Sequence, residues 1–93
     1  MSEVPALPPD VELVRVTDEF TAETTPAGLK HAHQIAAGVW GRLRVLSGVV
    51  TFVLEATGER RQLEAGASQV IEPEVAHHVE VGPEGSFVVE FYR

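Results

Sequence analysis

The chain has 93 residues, enough for one domain and one core, and a fold of this size buries only about 60% of its unfolded surface. It contains no cysteine, which excludes disulfides, thiolate metal sites and thiol nucleophiles and leaves His, Asp and Glu as metal-binding side chains. Asp and Glu number 14 against 7 Lys and Arg, a net charge of −7 that repels nucleic-acid phosphates, and no run approaches the ~20 apolar residues of a membrane span.

Met1 to Asp10 carries Pro5, Pro8 and Pro9, which withhold backbone donors and favour extended chain, so residues 1–10 read as a flexible arm and residues 11–93 as the folded domain. Met1 to Pro9 has no Lys or Arg and no long apolar run; lacking the parts of a secretory signal, the chain is expected in the cytoplasm. From Val11 onward the apolar residues recur at a period near two and β-branched side chains are frequent, which predicts strands. The expected strands are Glu12 to Val16, Leu29 to Ile35, Val39 to Leu46, Val49 to Glu55, Arg60 to Leu63, Ser68 to Glu72, His77 to Val81 and Ser86 to Tyr92. Pro26 and Gly28, Ser47-Gly48, Thr57-Gly58, Ala65-Gly66, Pro73 and Gly82 to Gly85 supply the turns between them. Short strands with regular punctuation make an all-β sandwich or closed barrel. Arg42, Arg44, Arg60 and Arg61 read as solvated strand positions that discourage aggregation.

Side-chain parity sorts each strand into two faces. Leu29, His31, His33 and Ile35 share one face of the second strand, and Lys30, Ala32, Gln34 and Ala36 the other. His77 aligns with Val79 and Val81, whereas His78 aligns with Glu80. His31, His33 and His77 therefore face an apolar interior, where an imidazole needs a hydrogen bond or a metal. Val50, Phe52 and Leu54 read as plain core. For Glu90, set within the apolar run Phe87 to Tyr92, parity alone does not choose a face. Trp40 shares parity with Arg42 and Arg44; a bulge at Gly41 would turn it toward the barrel mouth as a pocket-lining residue.

Imidazoles and carboxylates are the usual ligands of divalent Zn, Fe, Ni and Mn. His31-x-His33 puts two imidazoles on one strand face, and His77 from a neighbouring strand completes a facial set with open positions for a ligand.

The order His31-x-His33, a turn at Gly48, and Pro73 shortly before His77 resembles the two-part cupin signature. That resemblance implies a cupin-type β-barrel, a double-stranded β-helix or jelly roll. Gly38 stands about where the first cupin motif carries a Glu, and Glu72-Pro73-Glu74 stands in place of Pro-x-Gly, which makes Glu90 the candidate for the missing carboxylate. From about Glu12 onward the chain resembles the small cupin family of YeaR and the N-terminal part of tellurite-resistance TehB-like proteins. The residues that carry this are Pro26 to Leu29, His33, Gly38 to Gly41, Arg42 to Gly48, Glu64 to Gly66, Pro73 to His77, Val79-Glu80 and Phe87 to Tyr92. It implies that His33 and His77 are metal ligands, that Glu90 faces inward with them, and that the domain serves in tellurite or nitrogen-oxide stress.

The expected function is therefore a metal-binding domain that binds or senses a small anion or oxidised metabolite. A metal-dependent enzyme (dioxygenase, isomerase or hydrolase) and a metal-free interaction module are the alternatives. Apart from His31, His33, His77 and Glu90, no inward acid, base or nucleophile is evident, which favours binding over turnover. The small core favours a homodimer.

Overall fold

The computed structural model describes residues 6–30 and 33–93; His31, one of the expected ligands, lies outside the described residues. The elements are β1 (Leu13–Val16), β2 (Phe20–Thr21), a short 3₁₀ turn (Ala27–Lys30), β3 (Trp40–Ser47), β4 (Val49–Leu54), β5 (Arg60–Glu64), β6 (Ser68–Ile71), β7 (His77–Val81) and β8 (Ser86–Tyr92). The fold is all-β. Two antiparallel sheets form, the first in the order β1-β8-β3-β6 with β2 also on β8, the second in the order β5-β4-β7.

The apolar rows that alternate along the strands meet between the sheets. Leu43 and Val45 of β3 and Phe87 and Val89 of β8 face Val50 and Phe52 of β4 and Val79 of β7, with Ile35 and Ile71 completing the core. Gly48 turns the chain from one sheet to the other with φ +62°, and a Cβ there would lie 2.5 Å from the Glu84 carbonyl oxygen. Backbone approach of this kind admits only glycine.

Two expectations change. Of the second strand, Leu29 to Ile35, the described residues form the end of the 3₁₀ turn and one isolated antiparallel bridge at His33 in place of a ladder. Pro26 sets up that turn, its carbonyl accepting from the Leu29 N–H at 3.0 Å, and a chain already turning at Leu29 does not lie along a ladder. The closed barrel does not form among the described residues, because the strand ladders stay within two separate sheets. No helix is long and apolar enough to cross a membrane.

Candidate functional site

The two sheets approach each other where the loop before β3 meets the start of β7. His33 N–H donates to the His77 carbonyl at 2.8 Å, and His77 N–H donates back to the His33 carbonyl at 2.9 Å. Two residues that exchange both backbone bonds in an antiparallel bridge present their side chains on the same face. The imidazoles accordingly meet edge to face, with ring centroids 5.5 Å apart. The Glu74 N–H donates to the Ile35 carbonyl at 2.8 Å, and Glu74 itself has φ +61°, so the turn after Pro73 is bent to clamp the His33 segment in place.

His77 is 1% exposed and its ring stacks on Phe52 at 5.2 Å between centroids. Its Nδ1 lies 2.9 Å from the Val75 carbonyl oxygen. A carbonyl only accepts, so Nδ1 carries the proton and Nε2 keeps its lone pair. Burial pushes the His77 pKa below its ordinary 6.5, against the opposing pull of the Val75 hydrogen bond. The ring is therefore a neutral base at neutral pH. Among the described residues Nε2 has no hydrogen-bond partner. His77 lines a cavity of about 40 Å³ together with His33, Thr17 and hydrocarbon from Leu43, Phe87 and Phe91. Thr17 is a lining residue that sequence reasoning missed; it precedes an irregular loop, and no pattern marks it.

His78, one position on, occupies the outer face. Nδ1 lies 2.8 Å from Glu55 and Nε2 lies 3.3 Å from Glu80, and two carboxylates ask for a proton on both nitrogens. The hydrogen bond with Glu55, then that with Glu80, raises the His78 pKa above 6.5 despite some burial. Arg60 pairs with the same Glu80. This fulfils the parity assignment of His77 inward and His78 outward.

Glu90 does not join the histidines. Phe87, Val89 and Phe91 are the β8 residues that line the cavity, so by alternation Val88, Glu90 and Tyr92 lie on the opposite face of the sheet. There Glu90 stands opposite Arg42 in register and accepts from Arg42 Nε at 2.8 Å, Arg44 Nη1 at 3.1 Å and the Tyr92 hydroxyl at 2.7 Å. Burial acts to raise its pKa, but the bonds from Tyr92, Arg42 and Arg44 prevail and hold it below the usual 4.5. Glu90 is 6% exposed because these neighbours cover it. Trp40 lies on that outer face too, opposite Tyr92. The register runs unbroken from Trp40 to Val45, so no bulge turns the indole inward. A Cβ at Gly41 would meet Ile35 Cδ1 at 2.7 Å, so a side chain there would displace the end of the Ile35 side chain.

Arg61 is the second residue missed. It sits opposite Phe52 on the inner face of β5, donates from Nε to Glu59 at 3.0 Å and from Nη1 to the buried Gln69 at 3.0 Å, and lines a separate cavity of about 200 Å³. Its parity with Leu63 was the available signal.

Two imidazoles meeting in a cavity, one oriented by a backbone carbonyl, suit the donor chemistry of a borderline divalent ion, whose ligating histidines usually donate their other N–H to such a group. Among the described residues no group of three His, Asp or Glu is placed to hold a metal.

A family model described as a TehB-like domain matches residues 15–89. A crystal structure of a protein from E. coli (strain K12) superposes with a TM-score of 0.89 at 26% identity, covering 97% of this chain and 97% of that one. The crystal structure of TehB from Haemophilus influenzae superposes with a TM-score of 0.78 at 23% identity, over 90% of this chain and 32% of that chain. The chain thus spans about a third of that TehB. No curated protein sequence matches the chain.

Proposed function

The chain belongs to the TehB-like domain family, and from that premise we propose a metal-binding domain of the cupin type, related to YeaR, that holds a divalent ion at His33 and His77 and binds or senses a small anion or oxidised metabolite. The observation that carries this reading is the Nδ1–H of His77 on the Val75 carbonyl, which leaves the Nε2 lone pair free beside His33. His31, outside the described residues, is proposed from the sequence as the third donor, and Glu90, held by Arg42 and Arg44, does not take part. The ion is Zn, Fe, Ni or Mn, and when bound it supplies a positive charge with an open coordination position.

The ligand class follows from the lining. Imidazole ligates a metal as a neutral donor, and among the described residues the rest of the cavity is hydrocarbon apart from Thr17. A divalent charge in such surroundings is poorly compensated, which favours a small anion as the completing ligand. Among the described residues the cavity offers no further acid or base, and this favours binding over turnover. Tellurite or nitrogen-oxide stress is the physiological setting proposed, by likeness to the TehB-like family.

Elemental analysis of untagged protein tests the reading. Wild type incubated with Zn, Ni, Fe or Mn is expected to retain one ion per chain, and the His33→Ala, His77→Ala double variant none. Wild type that holds no ion overturns the proposal.

A further inference from the structure

Among the described residues the first sheet begins at β1 with an unpaired edge. Leu13, Val14 and Val16 are 50%, 52% and 47% exposed, and only Leu46 joins them as an exposed large apolar side chain among the described residues. Edges of this kind are commonly guarded by proline, lysine or a covering loop, and Leu13-Val14-Arg15-Val16 has neither proline nor lysine. The backbone divides the strand into two sides. Glu12 exchanges hydrogen bonds with Arg93, Thr17 N–H donates to the Val89 carbonyl, and Arg15 stands opposite Phe91, so these three residues turn toward β8. The register slips between Leu13 and Arg15, a bulge that leaves Leu13, Val14 and Val16 directed at the open edge.

That bulge makes Glu12-Leu13-Val14-Arg15 its own antiparallel complement. With Leu13 and Val14 both facing outward, Leu13 of one copy pairs with the partner's Val14, and Glu12 then falls opposite the partner's Arg15. A two-fold axis normal to the sheet keeps the same face on both sides of the junction. Glu12 and Arg15 stand across from Arg93 and Phe91 respectively, one face of β8, so the acid of each copy meets the base of the other twice per dimer.

We propose that β1 is the contact strand of an isologous homodimer in which the two first sheets join edge to edge into one continuous sheet. The partner is a second copy of this chain, selected by the Glu12–Arg15 charge complementarity and the Leu13–Val14 pairing. The dimer leaves the His33–His77 cavity between the sheets of each copy and stands or falls independently of metal binding.

Sedimentation equilibrium of the untagged full chain, from micromolar to submillimolar concentration, provides the test. The expected mass is twice 10.1 kDa. Glu12→Arg and Arg15→Glu each set like charges opposite one another and are expected to weaken the dimer about tenfold, while the E12R/R15E double variant restores it. Amide exchange at Leu13, Val14 and Val16 reads the same contact, slow in the wild type and the double variant and fast in each single variant. A monomeric wild type, a dimer indifferent to either reversal, or reversals that the double variant does not repair each overturn the proposal. Slow exchange in a monomer assigns the edge to the chain's own N-terminal residues and overturns it as well.

Discussion

His77 and His78 follow one another on β7, yet the first is sealed between the sheets with Nδ1 on the Val75 carbonyl, and the second lies outside between Glu55 and Glu80. Their environments move their pKa values in opposite directions, down for His77 by burial and up for His78 by its carboxylates. A single strand thus holds one imidazole that gives up its proton more readily than a free one and a neighbour that keeps it more firmly. Facing alone separates them, since residue type and sequence position are nearly the same.

The comparison breaks most severely on the inner side. Phe52→Ala removes the ring stacked on His77 and is expected to cost about 4 kcal/mol of stability in urea unfolding; a cost below about 1 kcal/mol would mean that the inner face is not packed as described. Next in size is Glu90→Gln, which leaves Arg42 and Arg44 without their carboxylate. The arginines are 36% and 51% exposed, so water recovers part of the loss and the expected cost is about 2 kcal/mol. Metal content is expected to stay unchanged in this variant, and a fall would return Glu90 to the donor set.

pH sharpens the contrast. Between the folded and unfolded pKa of His77 the unfolded chain binds more protons, so the stability linked to His77 is complete above pH 6.5 and lost as pH falls below it. For His78 the folded chain binds more protons. Its contribution is complete below pH 6.5 and lost as pH rises through the higher folded value. Imidazole nitrogen NMR of metal-free protein is expected to show His77 as the Nδ1–H tautomer at pH 6.5, while His78 is still mostly imidazolium there. Identical midpoints would contradict the assignment of faces. The smallest effect is expected for His78→Ala, below about 1 kcal/mol because the ion pairs are near the surface, with metal retention at the wild-type level.

Alternation reads His77, Val79, Val50 and Phe52 correctly from sequence because β7 and β4 have one polar and one apolar face. It fails on β8, where both faces carry apolar side chains and the outer one is covered by the side chains of β3. There Arg42, Arg44 and Tyr92 bury a carboxylate that no period distinguishes from a core ligand. At His33 the parity argument assumed a strand; the residue still faces His77, but through a single bridge after a 3₁₀ turn. Two backbone hydrogen bonds to a residue far along the chain leave no mark in the local sequence. Trp40 was legible by parity, and the bulge invoked to turn it inward is absent, since the ladder with β8 runs in register from Trp40 to Val45.

The order of strands carries a consequence for how the domain forms. Among the described residues β4 and β5 are the one pair of consecutive strands that share a ladder. Every ladder of the first sheet is non-local, with Val16 waiting for Glu90 and Gly41 for both Ile71 and Phe91. Such a topology closes large loops before it gains their contacts, and domains of this kind fold on a timescale of about milliseconds to seconds. Until β8 inserts between β1 and β3, both of those strands lack their β8 ladders, so the β4–β5 hairpin is the natural seed and the arrival of β8 the step that leaves the first sheet open only at its outer strands β1 and β6.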